Sequence, residues 1–128
     1  MKYLGIDYGK KKIGLAISEG LVASPFKTIE TSSLKDALSK IEAVIKKEEV
    51  ETIVIGVAES GESRKLTLNF IQEFKKQNPT KNLIETEETL STYQAKADQV
   101  LSGIPKAKRA LDDSFAAAII LENYLESL

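Results

Sequence analysis

The sequence contains no cysteine and no histidine. Without cysteine there are no disulfides, no thiolate zinc sites and no thiol nucleophile. Without histidine there is no Ser-His-Asp triad, no imidazole acid or base and no histidine zinc site. Chemistry in this chain falls to carboxylates, Lys, Tyr, Ser or Thr, and a metal would have to accept oxygen ligands, as Mg²⁺ and Mn²⁺ do. An excess of either charge is also missing: 18 Lys and Arg stand against 19 Asp and Glu, a net charge of −1. That excludes a globally basic nucleic-acid binder and leaves room for local basic patches. Long apolar runs are absent as well, the longest uncharged stretch being Ser114 to Leu121, far short of a membrane span. The N-terminal Met1-Lys2-Tyr3-Leu4-Gly5-Ile6 meets Asp7 too early for a signal peptide. These features predict a soluble cytoplasmic protein with no membrane partner.

What remains is 128 residues, 42% of them hydrophobic, the size of one domain spanning residues 1–128. Tyr3-Leu4-Gly5-Ile6-Asp7 reads as a strand. In the next stretch Ile13, Leu15 and Ile17 alternate with small residues, and Gly9-Lys10-Lys11 makes the pair a β-hairpin. Val22 to Glu30 reads as a third strand, and Pro25 places it at an edge. Leu34, Leu38, Ile41 and Ile45 recur at helical spacing behind a cap at Ser32 or Ser33. The unbroken apolar run Thr52 to Val57 predicts a central strand covered on both faces. Gly61 to Gln77 reads as a helix with a Leu66, Phe70, Phe74 stripe, and Asn82 to Glu88 as a short strand with an acidic end. Ser91-Thr92-Tyr93-Gln94 matches a capping box for a helix carrying Tyr93, Ala97, Val100 and Leu101, which Gly103-Ile104-Pro105 stops. A last helix is expected from about Leu111 to Leu125. The order β-β-β-α-β-α-β-α-α predicts an α/β fold: a mixed five-stranded sheet with helices on both faces.

Three carboxylates stand out by position. Asp7 ends the first strand, Glu88 ends the last, and Asp113 opens the last helix. Ligands of open α/β sheets collect beyond the carboxyl ends of strands. Asp113, Ala117, Ile120 and Tyr124 share one helix stripe, small and apolar apart from Asp113, so the stripe should face the sheet and aim Asp113 at the rim. Ala116-Ala117-Ala118 would allow a close approach. Converging carboxylates repel unless a cation sits between them, and two Mg²⁺ or Mn²⁺ ions there would suit phosphodiester hydrolysis. Each residue also has an ordinary reading: Asp113, like Asp112, as a helix-dipole partner, and Glu88 as part of a solvated turn with Glu85 and Glu87. Asp7, following an apolar strand directly, is the hardest to explain that way. Lys10, Lys11 and Lys12 on the hairpin turn, and Lys106, Lys108 and Arg109 before the last helix, read equally as solvated loops or as phosphate-contacting flanks.

The segment Asp7-Tyr8-Gly9-Lys10-Lys11-Lys12-Ile13-Gly14-Leu15-Ala16 resembles the YqgF family, ribonuclease-H-like proteins described as Holliday-junction-resolvase-like and as pre-16S rRNA nucleases. The resemblance continues through Ala23-Ser24-Pro25, Ile53-Val54-Ile55-Gly56, Glu87-Glu88-Thr89-Leu90-Ser91-Thr92, and from Asp113 to Tyr124-Leu125. It implies a ribonuclease-H-like fold and a metal-dependent nuclease site at Asp7, Glu88 and Asp113. The implied substrate is nucleic acid, RNA ahead of DNA. The sequence shows no large apolar surplus demanding a partner, so a monomer or weak homodimer fits. A Holliday-junction DNA nuclease and a non-catalytic nucleic-acid-binding module on the same fold stand as alternatives. Two departures bear on substrate contact. Thr89 stands where family members carry Arg, and Val57 to Arg64 replaces a longer loop, with Arg64 the candidate substitute for the missing positive charge.

Overall fold

A computed structural model of the chain describes residues 2–88 and 113–128. The chain opens with three strands, β1 (Tyr3–Asp7), β2 (Lys12–Ser18) and β3 (Ser24–Glu30). Helix α1 (Leu34–Glu48), strand β4 (Thr52–Ala58), helix α2 (Gly61–Gln77) and strand β5 (Asn82–Glu88) follow. Helix α3 (Asp113–Glu126) closes the described chain. The expected helix from Ser91, its Gly103-Ile104-Pro105 stop and the start of the last helix at Leu111 lie outside the described residues.

The sheet order is β3-β2-β1-β4-β5. β1, β2 and β3 pair antiparallel, while β4 runs parallel to both β1 and β5. The mixed five-stranded sheet read from the sequence is therefore the one that forms. β3 is the edge strand that Pro25 demanded, and a register irregularity between Leu15 and Ala16 adjoins that proline. β4 is buried along nearly its whole length, as its unbroken apolar run required.

The pleat sorts the core into two layers. Leu4, Ile6, Ile13, Leu15, Ile53 and Ile55 face α1 and α2, where they meet Leu38, Ile41, Phe70 and Phe74. Gly5, Ala16 and Val54, of opposite parity, face α3 and meet Ala117, Leu121 and Leu125. Six of the core side chains on the first face are fully buried aliphatics in the strands, each contributing about 1.5–3 kcal/mol of burial. In α2 the buried stripe is Thr67, Phe70, Ile71 and Phe74, so Leu66 sits at its margin. The spacing of Leu66 from Phe70 was helical, but the stripe's centre lies one residue later, where Thr67 satisfies its hydroxyl on the Ser63 carbonyl at 2.9 Å.

Helix α1 begins where the sequence placed it. Ser33 is the cap, its Oγ accepting the Asp36 N–H at 3.1 Å. Asp36 reciprocates by accepting the Ser32 N–H at 2.9 Å. That backbone hydrogen bond, with Lys40 nearby, holds the Asp36 carboxyl below the usual aspartate range.

Candidate active site

Strands β1, β4 and β5 run parallel, so their carboxyl ends share one rim. β3 also ends there, because Lys12 pairs with Glu30. The chain turns at this rim into α1 and α2, so the N-termini of both helices open on it. Helix N-termini carry partial positive charge and favour anions.

Asp7 is the last residue of β1, is half-buried, and stands opposite Gly14 of β2. It shares the parity of Gly5 and so belongs to the face that α3 covers. Asp113, the first residue of α3, is brought to the same place by backbone contact. A Cβ built on Gly14 would collide with the carbonyl group of Asp113 and would lie 2.9 Å from the Ser114 N atom. The backbone at Asp113 thus rests on the residue paired with Asp7. Further down the helix, a Cβ on Gly5 would lie 2.8 Å from both the Ala117 carbonyl oxygen and the Leu121 Cβ. Two glycines on adjacent strands thus let α3 lie on bare backbone, with Ala117 and Ala118 as the buried small residues on the helix side. Ala117, Ile120 and Tyr124 of the expected stripe pack against the sheet; the Tyr124 and Tyr3 rings lie 6.1 Å apart.

Glu88 is the last residue of β5 and pairs with Ala58 of β4. Its register gives it the parity of Ile84, which packs in the layer beneath α3. Its side chain lies outside the described residues. Backbone register thus puts the ends of β1 and β5 at one rim, and the start of α3 lies over Gly14 beside the end of β1. Among the described side chains no group of three acidic residues forms an ion site. Asp7 and Asp113 are two oxygen donors of the type that suits Mg²⁺ or Mn²⁺ rather than a soft metal.

The basic residues divide. Lys10, Lys11 and Lys12 are exposed on the β1–β2 turn and line an open recess of about 440 Å³ with Glu30, Thr31 and Ser32. The Thr31 N–H donates to the Lys11 carbonyl at 2.9 Å, which ties the turn to the start of α1. Arg64 projects from the first turns of α2 back to the rim, its Nη1 donating to the Ala58 carbonyl at 3.0 Å. Ala58 is the register partner of Glu88, so the guanidinium is anchored beside the end of β5. One of its five N–H donors is spent on that anchor. Lys106, Lys108, Arg109 and Thr89 lie outside the described residues.

Tyr8 escaped the sequence reading. Its ring stacks on Phe70 at 4.7 Å between centroids, directly after Asp7, and burial raises its phenol pKa above the usual tyrosine value. The only signal in the sequence was an aromatic between a strand-ending Asp and a turn glycine. Gly14 escaped for a different reason: a small residue in an alternating strand announces room but not what fills it.

Comparison with known proteins agrees with this architecture. A family model described as RuvX, Holliday junction resolvase, matches residues 1–127. A protein of Clostridium tetani is 34% identical over all of this chain and 98% of its own length. One of Staphylococcus carnosus is 31% identical over 99% of this chain and 96% of its own. Both carry the name "Putative pre-16S rRNA nuclease". Among solved structures, Thermus thermophilus RuvC in complex with a Holliday junction substrate superposes with a TM-score of 0.63 at 16% identity, covering 99% of this chain and 94% of its own. The fowlpox virus Holliday junction resolvase gives 0.63 at 15% identity, with each chain fully covered. At such identities these structures attest the fold, which is ribonuclease-H-like. The family model over nearly the whole chain and the full-length relatives together place this chain in the RuvX family of Holliday-junction-resolvase-like nucleases.

Proposed function

We propose that this protein is a divalent-metal-dependent endonuclease whose substrate is RNA, the precursor of 16S rRNA, rather than junction DNA. The observation that carries the site assignment is the seating of the Asp113 backbone on Gly14, the strand partner of Asp7. It supports a shared role for two acidic residues far apart in sequence, and the register of Glu88 supports its membership as the third.

Asp7, Glu88 and Asp113 would hold Mg²⁺ or Mn²⁺. Bound there, such an ion activates a water and stabilises the leaving oxygen of an in-line displacement. The residues of the chain do the rest. The carboxylates would repel one another, so together they would favour a bound cation, which in turn would attract the phosphate. Asp7 sits on a strand paired on both sides and Asp113 on a helix locked against backbone, so both are positioned before substrate arrives. Lys10, Lys11, Lys12 and Arg64, with Lys106, Lys108 and Arg109, would take the phosphates flanking the scissile bond. We read the chain as one domain over residues 1–128, acting in the cytoplasm as a monomer or weak homodimer. Among the described residues no helix is long and apolar enough to cross a membrane.

The test mixes the purified protein with a pre-16S rRNA fragment and, separately, a four-way DNA junction, each with Mn²⁺, Mg²⁺ or EDTA, and runs Asp7→Asn alongside. Cleavage of the RNA that needs metal and vanishes in Asp7→Asn is expected. Cleavage of the junction alone would shift the substrate to DNA. Salt-sensitive binding without cleavage of either would make the protein a binding module and sink the nuclease reading.

A further inference from the structure

The lysine recess at the rim does not end there. Lys40 of α1 reaches over the end of β3, its Nζ donating to the Glu30 carbonyl at 2.7 Å, and Glu30 lines the recess. Beyond Lys40 a second groove of about 300 Å³ runs between β3 and α1. Its floor is Ile29, Ala43 and Val44, and its walls are Lys27, Lys40 and Lys47. All three lysines are exposed. Two acidic groups adjoin them. Asp36 pairs with Lys40 at 3.2 Å, and Glu30 stands at the junction of the two grooves. Lys27 and Lys47 have no acidic neighbour in the groove lining.

Two other described parts of the surface carry more acid. The other sheet edge, β5, presents Glu85 and Glu87, and Lys75 beside it is engaged by Glu85 at 3.4 Å. The far rim gathers Glu19, Glu48, Glu49 and Glu51 around Lys2 alone. Lys27 and Lys47 thus present positive charge along this groove with no acidic residue in its lining. A polyanion bound at the rim is drawn along the β3 edge.

We propose that the groove between β3 and α1 is a backbone track for a duplex arm of the substrate. It rests on the nucleic-acid reading of the rim and specifies that the substrate is a structured RNA whose helical arm leaves over the β3 edge. Lys40 to Lys47 span about 10 Å along α1. That is about three steps of a nucleic-acid strand at 3.4 Å per step. The lysines make phosphate contacts only, so the track reads the presence of a flanking helix and not its sequence. The apolar floor lets the lysine stems lie flat while their ammonium groups stay in solvent.

The test is binding in EDTA, where nothing is cut, of an RNA hairpin with a single-stranded extension and of that extension alone. Each is titrated against the full chain and against K27Q/K40Q/K47Q as salt is raised. If all three lysines meet phosphates, the variant's log–log salt slope for the hairpin is shallower by about 2.7, so wild type loses about 40-fold more affinity than the variant between about 50 and 200 mM salt. K27Q and K47Q, which leave the Asp36–Lys40 pair intact, should each flatten the slope by about 0.9. The loss should be confined to the hairpin. An unchanged slope, an equal loss on the bare extension, or the same loss in the β5-side variant K75Q/K76Q/K81Q would each overturn the track. The nuclease reading depends on metal-dependent cleavage, which this binding measurement does not involve, so the two can fail separately.

Discussion

Replacing Gly14 by Ala is the sharpest probe of how this site is assembled. The added methyl would meet the Asp113 carbonyl and the Ser114 N atom, which are backbone and cannot swing aside as a side chain would. Carbon contacts are comfortable near 3.5–4.0 Å, so the first turn of α3 must retreat by on the order of 1 Å. Overpacking of this kind costs about 1–3 kcal/mol, and a backbone collision belongs at the upper end. At about 2.1 cal/mol/K of unfolding entropy per residue, 2–3 kcal/mol corresponds to a fall of about 7–11 °C in Tm. The catalytic consequence should exceed the thermal one, because a displacement of about 1 Å at a reacting group costs about 100-fold in rate. Gly5→Ala is the matched control. Its methyl meets the same helix at Ala117 and Leu121, about one and two turns beyond Asp113, so it should cost similar stability and far less activity. Tm by circular dichroism and the metal-dependent cleavage rate would be measured for both. A Gly14→Ala protein with unaltered Tm and full activity would refute the close seating. Equal activity losses in the two variants would show that α3 moves as a rigid rod and that nothing special holds Asp113 over Gly14.

Other expectations follow from single contacts. Phe70→Ala removes a fully buried ring that bridges Tyr8 and Phe74, and should cost about 3–5 kcal/mol, read from urea unfolding. Tyr8 should ionise above the usual tyrosine range in an ultraviolet titration, because burial favours its neutral form. Its folded pKa lies above its unfolded one, so its contribution to stability is complete below about pH 10 and falls as pH rises through the folded value, an alkaline loss that Tyr8→Phe should remove. Arg64→Gln should flatten the salt dependence of RNA binding by about one unit, with little change in Tm; an unaltered slope would confine the guanidinium to its Ala58 anchor.

Much of the fold was legible because its elements are locally coded. Alternation in Ile13, Leu15 and Ile17, the apolar run of β4, the Ser33 cap and the proline of the edge strand each act within a few residues, and each formed as read. Leu66 shows the limit of that coding. Helical spacing fixes which residues share a stripe to within one position, and the packing partner chooses the centre. The site was legible as a pattern of places, namely strand ends and a helix start, because parallel strands put their carboxyl ends at one rim.

The sequence by itself determined that any chemistry here uses oxygen ligands, since it has no thiol and no imidazole, and that the fold is a mixed sheet with helices on both faces. Tertiary structure alone decided that the Asp113 backbone rests on Gly14, the strand partner of Asp7, a meeting between residues about a hundred positions apart that no local period encodes. It also decided that Arg64 turns back to the rim at Ala58, and that Lys27, Lys40 and Lys47 line one groove. Charges scattered along a chain become a surface only when a strand and a helix are laid side by side.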